Sequence, residues 1–438
     1  LVSIGACLFT LESQHGFHNA LPVALGKGGD PARIAAQIVS GIGFLGAGVI
    51  GVAAIWTLLK IIGPVVGGIR SSLAASSARR DGAVLAIGER DLPIGIVAAV
   101  ALATLVPIAG LLWSVIAGGP LAASGVALIG GALLFILLIG LVIAAVCGYM
   151  AGLIGASNSP VSGIGILSVL AAALLLVGLF GRGTSPETTQ ALVAYALIVT
   201  GVVFGVATIS NDNLQDLKTG ELVGATPWKQ QVALIIGVVF GSLVIPPVLD
   251  LLNATLGFAG TPGAGPNALS APQAALISAL AKGVLGGDLN WSLLGVGALI
   301  GIGLVIVDAV LRKSSAGRLS LPPLGVGLAI YLPSAVTAPV VVGAVAGWIY
   351  DKVVAKDKAA QPAKRLGVLV ASGFIVGESL FNVALAAIIY FSKNPEPLAV
   401  PFAPAEHIGM ILALISAAVV VFGLYAWSRR AAAKTAEA

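Results

Sequence analysis

Ten stretches of this chain are each long and apolar enough to cross a lipid bilayer, and nothing else in the sequence constrains the fold as tightly. A spanning helix needs about 20 apolar residues. Runs over 34–60, 93–117, 123–150, 163–181, 190–210, 231–252, 293–311, 325–349, 366–391 and 408–428 meet that need, and 1–11 reads as the end of one more. In hydrocarbon only helices and closed barrels satisfy their own backbone, and runs of this length select helices. The expected fold class is all-α, a polytopic membrane helical bundle. Composition agrees, with 58% hydrophobic residues, only 9% charged, and a mean hydropathy of +1.06. A soluble domain carries about 25% charged residues.

The formal net charge of +5 is read as basic cytoplasmic loops that orient the chain, not as a nucleic-acid surface. Lys60, Arg70, Arg79, Arg80 and Arg90 fall in segment 60–90, and Arg312, Lys313 and Arg318 in segment 312–318. Lys352, Lys356, Lys358, Lys364 and Arg365 fall in 352–365, and Arg429, Arg430 and Lys434 in the tail. All four segments are expected on the cytoplasmic side, yet one ordinary span at 325–349 cannot leave both its flanks there. Pro333 and Pro339 interrupt that span, and proline removes a donor and clashes with the preceding turn. A re-entrant or strongly kinked element resolves the conflict. Segment 270–287 is a second re-entrant candidate, although a short extracellular surface helix fits its hydropathy equally well. Trp113, Trp291, Trp348 and Trp427 lie near proposed span ends, as an interfacial aromatic belt requires. Gly297 and Gly301 make a GxxxG spacing that suits close helix packing.

Polar interruptions mark where function is expected. Transporter sites sit near the midplane on discontinuous helices, whose ends offer unpaired backbone groups. Three places fit: Ser157, Asn158, Ser159 and Ser162 around Pro160 and Gly163; the Tyr331-Leu332-Pro333-Ser334 break; and SGFIVGESLFN over 372–382, with Glu378 inside an apolar span. A charge at membrane depth is costly and usually faces a pathway or bundle interior. Glu378 therefore reads as a proton-coupling carboxylate or a ligand for a cationic group, with Ser379 and Asn382 as neighbouring partners. A structural carboxyl hydrogen-bonded between helices is the alternative. Asp308 and Arg312 read as a local i, i+4 helix pair, and Asp250 as a boundary residue. Segment 210–231 reads as a solvated cytoplasmic loop.

Segment 210–231 carries no Walker lysine motif, metal-ligand cluster or nucleophile–His pair, and the spans lack a His, paired acids or a Ser/Lys set at helical spacing, so neither an enzyme, a cofactor nor a metal centre is expected. Cys7 and Cys147 sit in apolar runs without ligand spacing, and His15, His18 and His407 are too few for a histidine metal site. Residue 1 is Leu within an apolar run, with no start Met or signal peptide, and the chain reads as truncated at its N-terminus.

SNSPVSGIGI (157–166), DNLQDLKTGELVGATPWKQQ (212–231), SAPQAALISALAKGVLGG (270–287), LPPLGVGLAIYLP (321–333) and LGVLVASGFIVGESL (366–380) together resemble the oligopeptide transporter (OPT) family, whose yellow-stripe-like members carry metal chelates. IWTLLKIIGPVVGGIRSSL (55–73) fits as well. The resemblance implies a secondary membrane transporter, coupled to protons, moving peptides or peptide-like metal chelates along a route lined by the polar breaks. The inner membrane of a bacterium is the expected location, with the bilayer, the proton and the substrate as partners and self-association left open.

The beginning differs. DPARIAAQIVSGIGFLGAGVI (30–50) resembles the MgtC/SapB family, for which GIGFLGAG is a signature, and LVSIGACLFTL (1–11) fits the preceding helix there. FLGAGVIG (44–51) suits both families. The expected organisation is an MgtC/SapB-like membrane fragment over 1–44 and an N-terminally truncated OPT-like transporter over 45–438. A junction inside a shared stretch reads as a recombination or assembly artefact. The competing function is a non-transporting MgtC-like factor in magnesium or membrane stress.

Overall fold

The computed structural model describes residues 31–80, 86–154, 159, 161–182, 185–258, 268–269, 271–287, 289–332, 334–394, 397–398 and 406–437. They form α1 (Pro31–Arg80), α2 (Ile94–Ile116), α3 (Gly125–Ile154), α4 (Val161–Phe180), α5 (Pro186–Val223) and α6 (Pro227–Thr255). There follow α7 (Pro272–Gly286), α8 (Trp291–Ser314), α9 (Pro323–Tyr331), α10 (Ser334–Val354), α11 (Ala360–Ser392) and α12 (Glu406–Glu437). Ten of these are long and apolar enough to cross a membrane; α7 and α9 are too short. Large apolar side chains such as Val106, Val126, Leu141, Leu243, Phe391 and Val419 stand exposed, which is stable only where the solvent is hydrocarbon. The chain is an all-α integral membrane protein.

Two segments read as loops are helical. Residues 61–80 continue α1, and the polar stretch 210–223 continues α5. The latter follows from periodicity: Val199, Val203, Ala207 and Asn211 recur every fourth residue and are all buried, so one stripe runs from apolar into polar sequence without leaving the core. Both ends of α5 are specified locally. Ser185 Oγ accepts the Thr188 N–H at 3.2 Å with Pro186 in the first turn, a cap that satisfies an orphan donor. At the far end Gly224 takes φ +73°. There Ala225 N–H donates to Gly220 O at 2.8 Å and Gly224 N–H to Glu221 O at 3.3 Å, the pairing that closes a helix through a left-handed glycine.

The chain divides into two compact units, Leu1–Val239 with Pro272–Ser334, and Phe240–Ala271 with Ala335–Ala438. In the first, α3, α4, α5 and α7 share one apolar core containing Leu128, Ile143, Val169, Val203, Leu280 and Val284. Tyr195 is buried there and donates its hydroxyl to Leu128 O at 2.9 Å, which satisfies the one polar atom that burial would penalise. Helix α7, the 270–287 candidate, has Leu280, Ala281 and Val284 fully buried, so it is an interior element and not a surface helix.

Helices α1 and α8 approach through glycines. A Cβ on Gly48 would lie 2.3 Å from Leu294 O, and one on Gly297 only 2.2 Å from Leu45 O. Gly46 and Gly327 admit α9 in the same way, against Tyr331 and against Val49 and Ile50 respectively. Small residues that let backbones meet are the main source of helix association in lipid, where burial against tails gains nothing. The buried Asp308 does more than pair locally. It receives Arg312 Nε at 2.9 Å and also the Leu321 N–H at 2.8 Å, fixing the turn that sends the chain back into α9.

In the second unit α10, α11 and α12 meet around Tyr350, Val354, Ala359, Ala363 and Ala432. Tyr350 stacks on Tyr425 with ring centroids 4.4 Å apart and donates its hydroxyl to Ala363 O at 2.9 Å. Arg429 grips Asp357 with two bonds, Nε to Oδ2 at 2.5 Å and an Nη to Oδ1 at 2.8 Å. These bonds hold the Asp357 carboxyl below its ordinary value. A depressed acid stabilises the folded state above its unfolded value, and that contribution disappears as pH falls through the depressed one. Thermal stability is therefore expected to stay level between pH 5 and 8 as far as this pair is concerned, then drop in stronger acid. Asp357→Asn should flatten that acid limb, as measured by melting curves across pH.

Candidate functional site: broken helices around Tyr331 and an intramembrane carboxylate

Helix α9 has nine residues, about 14 Å at 1.5 Å per residue, under half of a hydrocarbon core of about 30 Å. It ends because proline at 333 cannot donate: Leu332 N–H still reaches Leu328 O at 2.8 Å, Leu332 itself is extended, and α10 begins afresh at Ser334. The interrupted element expected at 325–349 is present as this break, with Pro333 and the Ser334 side chain outside the described residues.

Tyr331, last in α9, is half-buried and has its phenol at the backbone of Leu276 in α7. Between α1, α4, α7 and α9 lies a gap lined by Ile50, Ile166, Gln273, Leu276, Leu328 and Tyr331. Its volume is about 10 Å³, close to the least that admits a single water. Three discontinuous elements, the first turns of α4, the short α7 and the end of α9, thus line one small gap.

The other end of the α4 entry carries a polar chain. Ser159 Oγ donates to Cys147 O at 2.8 Å and accepts from Asn211 Nδ2 at 2.7 Å. Asn211 Oδ1 in turn accepts from Gln215 Nε2. Ser159 is thus tied between the end of α3 and the middle of α5. Ser157, Asn158 and the Ser162 side chain lie outside the described residues. Gly163 is buried, with room for no Cβ against Ala54 at 2.4 Å, so α4 enters the bundle hard against α1.

Asn211, Gln215 and Gln273 were not singled out from the sequence. The first two share a face at i, i+4, and the four-residue stripe through Val203 and Ala207 was the signal that could have found them. Gln273 had none, since only packing carries it beside Tyr331. Ser168 Oγ and Thr200 Oγ1 are buried without a partner, on α4 and α5.

Glu378, Ser379 and Asn382 belong to the second unit. Asn382 Nδ2 donates to Glu378 Oε1 at 2.6 Å, whereas the Ser379 hydroxyl turns back to Ile375 O at 3.0 Å. Glu378 is exposed, as is the whole stretch 371–381, and it borders a shallow surface groove with Gly373, Phe374, Gly377, Phe381 and Leu424. Gly373 and Gly377 have nothing within 4 Å of a hypothetical Cβ, so the groove is open beside the acid. Among the described residues no cluster of three metal-ligating side chains occurs.

The family pattern described as OPT oligopeptide transporter protein matches residues 34–389. The chain belongs to the OPT oligopeptide transporter family. An OPT relative in Haemophilus influenzae, named as an oligopeptide transporter, is 42% identical over 357 residues, 79% of this chain and 56% of its own length. A relative in Oryza sativa subsp. japonica, named as a metal-nicotianamine transporter, is 24% identical over 229 residues, 52% of this chain and 32% of its own. The chain therefore spans little more than half, or about a third, of the curated OPT relatives it matches. YhiD of Escherichia coli K12, named as a magnesium transporter, is 48% identical over 48 residues, 11% of this chain and 22% of its own. No solved structure matches. The OPT match covers the start of α4, all of α7, the α9–α10 break and Glu378.

Proposed function

We propose that this chain is the core of a proton-coupled symporter of the bacterial inner membrane, carrying oligopeptides or peptide-like metal chelates. The observation that supports it most is the meeting of three discontinuous helical elements on Tyr331, in a chain of the OPT family. Discontinuous helices place free backbone groups beside polar substrates at membrane depth. In this reading Ser157, Asn158, Ser159, Ser162, Tyr331 and Ser334 bind substrate. Glu378 carries the coupled proton, with Asn382 as its hydrogen-bond donor and Ser379 beside it. The small gap at Tyr331 is the closed form of the route, opened when α4 and α9 part.

The test is uptake into proteoliposomes of a labelled tripeptide and of an iron chelate, with and without an inward proton gradient. Accumulation of either that collapses with the gradient is the expected result. Gradient-independent uptake would remove coupling, and no uptake beyond protein-free vesicles would favour the non-transporting MgtC-like reading. Residues 1–44 are assigned in the same proposal to a separate MgtC/SapB-like fragment joined within α1. Reading codons 40–55 on one long genomic molecule tests that junction.

A further inference from the structure

Between α10, α11 and α12, within the second unit, lies a groove of about 780 Å³ that the transport reading does not use. Its inner wall is the stacked pair Tyr350 and Tyr425, with Ile349 and Phe422 lining it as well. Lys356, Lys358 and Arg430 also line it. The one acid among the described lining residues, Asp357, is bound on both oxygens by Arg429. Three exposed cations therefore stand along the groove, with the local carboxylate already taken.

Its depth can be read from its neighbours. Trp348 and Trp427 are both largely exposed at this level, and Lys352 Nζ sits 5.8 Å from the Trp348 ring centre. Exposed Trp beside Lys marks the headgroup layer. The basic segments 352–365 and 429–434 put the same layer on the cytoplasmic side, where anionic lipids concentrate.

We propose that this groove holds an anionic phospholipid. Its phosphate lies among Lys356, Lys358 and Arg430, and the first part of an acyl chain lies along Ile349 and Phe422. The charge balance favours a phosphate-bearing ligand over a zwitterion. The mixed wall, apolar as well as cationic, favours a lipid over a free phosphate: a small soluble anion would leave the apolar part of the groove wet.

Native mass spectrometry of the detergent-purified chain, titrated with phosphatidylglycerol, phosphatidylcholine or glycerol phosphate, tests this. Phosphatidylglycerol should be retained in preference to phosphatidylcholine, and glycerol phosphate should not displace it. Lys356→Gln/Lys358→Gln, which leaves the Arg429–Asp357 pair intact, should weaken retention by on the order of fivefold per charge removed. Arg318→Gln, in the other unit, should leave it unchanged. Should the double variant fail to fold, the unaltered chain in raised salt serves instead, since screening must erode the preference. Equal retention of both lipids, or an unchanged preference in the variant and in salt, overturns the proposal. Full displacement by glycerol phosphate overturns its lipid part.

Discussion

Valine at position 297 is expected to stop the first unit from assembling. The added Cβ would fall 2.2 Å from Leu45 O and 2.9 Å from Leu45 C and Cα, all backbone atoms that no rotamer change can move aside. Helices α1 and α8 would have to separate, and Gly48, set 2.3 Å by the same measure from Leu294 O, would lose its own seat. Overpacking usually costs about 1–3 kcal/mol and occasionally more. A clash with backbone belongs at the upper end, because helix packing in lipid rests on close contact without a hydrophobic term to restore it. Gly297→Val should therefore give aggregated or protease-sensitive protein on size-exclusion and limited proteolysis. Gly295→Val, two residues away with nothing within 4 Å, should behave as the unaltered chain. Equal behaviour of the two variants would show that the glycine contact does not hold the unit together.

Glu378→Gln, made at the corresponding position of a full-length relative, is expected to abolish gradient-driven accumulation while leaving substrate binding within a few-fold. Glutamine keeps the shape and can still accept from Asn382, whose bond to Glu378 is 2.6 Å, but it cannot exchange a proton. The loss should be at least tenfold in initial uptake rate under a proton gradient, with substrate exchange at equal pH largely retained. Uptake that still follows the gradient in this variant would remove Glu378 as the coupling group. Loss of binding and uptake together would instead assign it to the substrate, the cation-ligand role left open by the sequence.

Much of this architecture could be read along the chain because its causes are local. Hydropathy marks a span wherever hydrocarbon is the solvent, and ten spans appear near their expected places. Proline acts on its own turn, so the end of α9 beside Pro333 was visible in advance. Local polarity misleads where a buried stripe runs through it. Polarity at 210–223 suggests a loop, although the stripe of Val203, Ala207 and Asn211 continues through it. A polar residue inside a bundle needs only a partner, and Asn211 finds Ser159 at 2.7 Å, fifty-two residues away in sequence.

The sequence by itself determined that this is a helical membrane protein with an OPT resemblance over most of its length, where its helices break, and which side chains interrupt them. Only the tertiary structure decided which breaks meet. It buried α7 instead of leaving it on the surface, placed Gln273 beside Tyr331, and turned the glycines of α1 and α8 into a backbone contact. It also aligned Lys356, Lys358 and Arg430 along one groove. The physical reason is the range of the forces involved. Hydropathy and proline act on the segment that carries them, whereas packing and hydrogen bonding depend on which segment arrives opposite.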